Sequence, residues 1–90
     1  MGKVLPFVAY ARAHMDTDEI EDLVRRTPGI SDRDRKIVCL YINKGMHAAD
    51  IAEEDGIYYD RSTVNRRLRK VIPIVELRKK LDDERKEAGA

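Results

Sequence analysis

The chain has few of the residues from which most chemical sites are built. Cys39 is the only cysteine, so no internal disulfide and no cysteine-based zinc site can form within one chain, and this usage suits a reducing cytoplasm. His14 and His47 lie far apart, and neither has a second histidine or a cysteine at ligand spacing, so no metal site is expected. Adjacent acids such as Glu53-Glu54 and Asp82-Asp83 point in different directions on a helix and make no catalytic dyad. With no nucleophile–base pair and no phosphate loop either, the chain is not expected to be an enzyme or to carry a cofactor. The longest apolar run near the start, Val4 to Ala11, is broken by Pro6 and is too short to span a bilayer. It also lacks a signal-cleavage pattern, so the expectation is a cytoplasmic protein with no membrane partner.

What the chain does have is charge, at 39 % of its residues, yet the formal net charge is only +1. Bulk charge therefore advertises no nucleic-acid partner, and the distribution carries the information. Asp16 to Asp22 holds five acids and no base, whereas Arg61 to Lys80 holds eight bases against the single acid Glu76. Such asymmetry is the footprint expected of one basic face.

Ninety residues, 42 % of them hydrophobic, suffice for one compact domain over 1–90. Leu5, Phe7, Val8, Tyr10 and Ala11 give the apolar face of a first helix at about Pro6–His14, with Pro6 tolerated in its first turn. Asp16 and Glu19 form a capping-box pattern before Ile20, Leu23 and Val24, which predicts a short acidic helix ending at Thr27-Pro28-Gly29. Ser31 and Asp34 repeat the box ahead of a helix from Asp32 to Lys44, apolar almost all round (Ile37 to Ile42) and so surrounded by others, with Cys39 buried as a small hydrophobe. Gly45 stops it.

A helix at about His47–Glu54 follows, then a turn through Gly56, then a helix capped by Asp60. Val64, Leu68 and Val71 or Ile72 share one face of that last helix, while Ser62, Asn65, Arg66 and Arg69 share the other. Pro73 is expected to interrupt or kink it, leaving a charged C-terminal helix over about 73–86 with a narrow stripe of Ile74, Leu77 and Leu81. With no strand-like alternation, the fold class is all-α, a compact bundle of about five to six helices containing a helix-turn-helix core at about 47–72.

In a helix-turn-helix the second helix lies in the DNA major groove. On that reading Asn65, Arg66 and Arg69 meet base edges or phosphates, and Ser62 and Thr63 hold a phosphate at the helix start. Arg61, Arg67 and Lys70 then grip the flanking backbone. Tyr59, with Tyr58, either contacts the DNA backbone or acts as a lid on the core. The bland counterpart of the whole assignment is a solvated basic helix with no ligand.

These residues also carry a resemblance. The stretch from Ser31 to Val71 resembles the fourth-region DNA-binding module of bacterial sigma factors and sigma-like phage regulators. The points of likeness are its capped charged start (Ser31 to Arg35), Gly45, Asp50-Ile51-Ala52 and Ser62-Thr63-Val64. The resemblance implies a small transcription regulator binding double-stranded DNA, without the promoter-melting part of a full sigma factor. The segment between Gly56 and Val64 is about two residues longer than the tight turn usual in that module.

A palindromic operator would require a homodimer, for which the Ile74, Leu77, Leu81 stripe and the Leu5, Phe7, Val8 helix are the candidate surfaces. The acidic segment Asp16–Asp22 is open to three readings: a solvated face, an orienting repulsion from DNA, or contact with a basic protein partner such as RNA polymerase. The alternative function is a helical adaptor or assembly protein, such as a small packaging subunit, binding protein or DNA without sequence specificity.

Overall fold

A computed structural model describes residues 5–88, and these form five helices and no strand. The first, α1 (Pro6–His14), places Phe7, Val8 and Ala11 in the core and Pro6 at its first turn. The second, α2 (Thr17–Arg26), starts on a complete capping box, in which Asp16 Oδ1 accepts from the Glu19 amide at 2.8 Å and Glu19 Oε1 accepts from the Asp16 amide at 3.3 Å. It buries Ile20, Leu23 and Val24. Just past its end, Thr27 is fully buried and donates its hydroxyl to the Leu23 carbonyl at 2.7 Å, which satisfies a polar group that would otherwise destabilise the core.

The central helix is α3 (Asp32–Asn43), which begins on the Ser31–Asp34 box. Ile37, Val38, Leu40 and Ile42 are buried, and Cys39 and Tyr41 are half-buried, so contacts surround most of its circumference. Burial pushes the Cys39 thiol above its ordinary pKa, with a smaller contribution from Glu21, and keeps it a poor nucleophile. The helix ends where Gly45 adopts φ +64° and the Met46 amide reaches back to the Leu40 carbonyl at 3.2 Å. Arg12 from α1 covers the same end, donating to the Tyr41 and Ile42 carbonyls at 2.7 and 3.4 Å.

The next helix, α4 (Ala48–Ala52), is shorter than its periodicity predicts. Beyond Ala52 the chain closes by three-residue bonds, Glu53 amide to Asp50 carbonyl and Glu54 amide to Ile51 carbonyl, and then turns at Gly56 with φ +86°. Ile51 and Ile57, both fully buried, pin the two ends of this turn to the core.

The last helix corrects an expectation. Pro73 does not divide it: α5 runs from Arg61 to Ala88 as one helix of 28 residues. At about 1.5 Å per residue it matches the 44 Å long axis of the molecule. Val71, Ile72 and Val75 flank Pro73 and are each about 1 % exposed, so both sides of the proline are anchored in the core, while Pro73 itself is exposed. Tertiary packing thus overrides the local breaker. Pro73→Ala is expected to stabilise the fold by about 2 kcal/mol, the missing helix bond regained less the entropy that proline removes from the unfolded chain. Thermal melting followed by circular dichroism should show this as a rise of about 10 °C; an unchanged midpoint would mean that the helix carries no strain there.

Core and surface divide along α5 as the spacing implies. Val64, Leu68, Val71, Ile72 and Val75 are buried against the other helices. Ile74 is half-buried, and Leu77 and Leu81 are exposed at 57 % and 46 %. Of the α1 residues with apolar side chains, Phe7 and Val8 are core residues, while Leu5 just ahead of the helix is exposed at 38 %. Toward its C-terminal end α5 is tied to α2 by Arg26, which bridges Asp22 and Asp82 at 2.8 and 2.7 Å. These partly exposed pairs fix orientation more than they add stability.

Candidate nucleic-acid interface

The candidate interface comprises the first three turns of α5, and the capping residue sets where the helix begins. Asp60 Oδ1 accepts from the Thr63 amide at 2.7 Å, and the Val64 amide donates to the Asp60 carbonyl at 3.0 Å. The hydrogen bonds from Thr63, with help from the nearby Arg66 charge, hold the Asp60 carboxyl below its ordinary pKa. A negative charge there is favoured by the helix dipole, and it occupies a donor that a phosphate could otherwise take. Thr63 is half-buried, whereas Ser62 is exposed. Of the two residues expected to hold a phosphate, Ser62 is therefore the more accessible.

Arg61, Asn65, Arg66, Arg69 and Lys70 are all exposed. None of the four bases forms an ion pair or a side-chain hydrogen bond among the described residues. Other bases of the chain are engaged. Arg25 and Arg26 pair with Asp22, Arg35 with Asp32, Arg78 with Asp82 and Lys79 with Asp83. In the first half of α5 the uncommitted bases are thus Arg61, Arg66, Arg69 and Lys70, of which Arg66 and Arg69 share the face that carries Ser62 and Asn65; farther along, Lys80, Arg85 and Lys86 are exposed too and have no ion-pair partner among the described residues.

Arg67 departs from the role its position suggests. Its guanidinium makes a two-pronged pair with Asp34, Nε to Oδ1 at 2.9 Å and Nη2 to Oδ2 at 2.5 Å. Asp34 is 1 % exposed, and the Arg67 hydrogen bonds hold its carboxyl below the ordinary value despite that burial. The pair fastens the start of α3 to the second turn of α5, so Arg67 sets how the basic face is presented and does not itself reach outward.

The two tyrosines of the turn also separate. Tyr59 is half-buried against the core, and the Arg33 guanidinium lies 4.5 Å from its ring centroid. Tyr58 is 84 % exposed, with its backbone in the left-handed region at φ +56°. Tyr59 therefore supports the site from within, and Tyr58 stands beside it.

Spacing along α5 does not reveal Arg33, because it reaches this region from α3. It has no ion-pair partner among the described residues and is held by the aromatic ring alone. One local signal exists: a base in the first turn of a helix opposes the dipole and calls for a reason. Arg35, its neighbour, has one, donating to the Thr27 carbonyl at 3.1 Å and to Asp32 at 3.0 Å.

Among the described residues no group of histidine, cysteine and acidic side chains could hold a metal, and no helix is long and apolar enough to cross a membrane. An open cleft of about 420 Å³ lies between α2 and the end of α5, and on its walls Arg26 is paired with Asp22 and Asp82 and Lys79 with Asp83. No family model, curated protein or solved structure matches the chain.

Proposed function

We propose that this protein is a DNA-binding transcription regulator that inserts the first half of α5 into the major groove of double-stranded DNA. The observation that carries the reading is the exposed, uncommitted set Arg61, Arg66, Arg69 and Lys70 around Asn65, on the helix that follows α4 and a turn. Arginine can pair two donors with guanine, and asparagine can pair donor and acceptor with adenine, so this face has the chemistry to read sequence as well as to grip phosphate. The Asp34–Arg67 pair supports the reading by holding α5 at a fixed angle to α3. The likeness of Ser31–Val71 to the sigma fourth-region module agrees with it and suggests a small sigma-like regulator.

Two partners follow from the same reading. A second copy of the chain would pair through Ile74, Leu77 and Leu81, the apolar part of α5 that lies beyond its basic part. On α2, Asp16 and Glu19 are occupied by the cap and Asp22 by arginines, which leaves Asp18 and Glu21 exposed to a basic surface such as one on RNA polymerase. The exposed Leu77 and Leu81 equally favour a second reading, an assembly protein that binds DNA without regard to sequence.

Selection from random-sequence duplexes at two salt concentrations separates the readings. A regulator enriches a motif, and its affinity falls steeply with salt, by a log–log slope of about −0.9 for each phosphate neutralised. Retention of all sequences alike would favour the assembly reading, and retention of none would overturn both. Light scattering with Leu77→Glu tests the dimer.

A further inference from the structure

The feature left unused by the helix-turn-helix is Tyr58. An L-residue at φ +56° is rare, and for a bulky side chain it is an outlier that a fold keeps only when something holds it there. Glycine or asparagine would occupy this position more easily. Among the described residues it is also the most exposed of the large hydrophobic side chains, at 84 %, whereas the neighbouring Ile57 is fully buried and Tyr59 is packed under Arg33. The turn is thus anchored on both sides of Tyr58 and presents its ring to solvent, two residues ahead of the Asp60 cap of α5. Neither core packing nor backbone preference accounts for a tyrosine there.

We propose that Tyr58 is a DNA-contact residue, an aromatic wedge that packs against the sugar–phosphate backbone at the edge of the groove entered by α5. The proposal rests on the DNA-binding reading above. An aromatic ring supplies a large contact area with only two side-chain torsions to fix, and the left-handed backbone removes part of the remaining freedom before binding.

The chain contains no tryptophan, so Tyr58→Trp places a single reporter at this position. The full chain is titrated into a dye-labelled duplex carrying the selected motif, or a random-sequence duplex if none is enriched, with anisotropy and indole emission read together. The emission should change as the anisotropy rises. If the anisotropy rises and the emission stays constant, Tyr58 is not at the interface and the proposal fails while the DNA reading stands; if the anisotropy never rises, the DNA reading itself fails and takes the proposal with it. Tyr58→Gly supplies the second measurement. It should raise the melting temperature by about 4 °C through relief of the left-handed strain while weakening DNA binding about fivefold, with the salt slope unchanged because no charge is lost. Binding as tight as that of the unaltered chain would overturn the contact.

Discussion

Arg67→Met is expected to destabilise the protein by about 3 kcal/mol at neutral pH, more than any other single change away from the apolar core. Methionine preserves most of the packing of the arginine stem, so the loss comes from the carboxylate of Asp34, which is 1 % exposed and would keep its charge with no partner. The remaining contacts of that carboxylate are the Ser31 amide at 3.5 Å and the helix start it caps, too little to offset burial. Asp34→Asn should cost less, about 1.5 kcal/mol, because Arg67 is 29 % exposed and can turn its guanidinium toward water. Against a total stability of about 5 to 15 kcal/mol for a single domain, the first change is severe. Urea denaturation of the two variants measures both.

The pH dependence of that loss identifies its cause. The folded Asp34 carboxyl titrates below its ordinary value of 3.8, chiefly because of Arg67, so its stabilising contribution is fully present above about pH 4 and disappears as pH falls through the depressed folded value. In Arg67→Met the largest lowering influence is gone, leaving only the weaker Ser31 hydrogen bonds against the raising effect of burial, so the carboxyl takes up a proton at higher pH and relieves the buried charge. The stability gap between the unaltered chain and Arg67→Met should therefore narrow as pH falls from 6 to 3. A gap constant across that range would show that packing, not charge, is what Arg67 contributes.

The second large effect concerns binding. Arg66→Ala and Arg69→Ala should each weaken DNA association by roughly 10- to 100-fold, the range expected for loss of a paired base contact or of a phosphate contact, and together they should abolish selection of any motif. Neither change should shift the melting temperature appreciably, because both side chains are exposed and lack partners among the described residues. The two roles of an arginine are distinguishable. A base-reading arginine relaxes preference at one position of the motif, whereas a phosphate-binding one lowers affinity for every sequence and reduces the salt slope by about 1. Lys70→Ala belongs to the second kind. Full affinity in the Arg66→Ala, Arg69→Ala double variant would remove the basic face from the mechanism.

These contrasts show which features could be read along the chain. The caps at Asp16–Glu19, Ser31–Asp34 and Asp60, and the apolar spacings of α2, α3 and α5, involve residues three or four apart, where helix geometry alone fixes who meets whom. The exposure of Ser62, Asn65, Arg66 and Arg69 follows from the same spacing, because the opposite positions Val64, Leu68 and Ile72 must face the core. Sequence by itself thus determined the all-helical class, the four helix starts from α1 to α3 and at α5, and the outward face of α5.

Only the tertiary structure decided the rest. That Pro73 leaves α5 whole depends on Val71, Ile72 and Val75 being held by other helices, a burial that no local propensity encodes. Arg67 meets Asp34 across 33 residues, and Arg33 reaches Tyr59 across 26, so whether a base points to solvent or to a partner is set by how α3 crosses α5. Tyr58 and Tyr59 are alike and adjacent in sequence, yet Tyr59 packs inward and Tyr58 is turned outward, on a left-handed residue of a turn that Ile57 and Tyr59 anchor to the core. The physical reason is the same in each case: contacts within one helical turn are fixed by covalent geometry, whereas contacts between helices are fixed by which arrangement of the whole core buries the most apolar surface without leaving a charge unpaired.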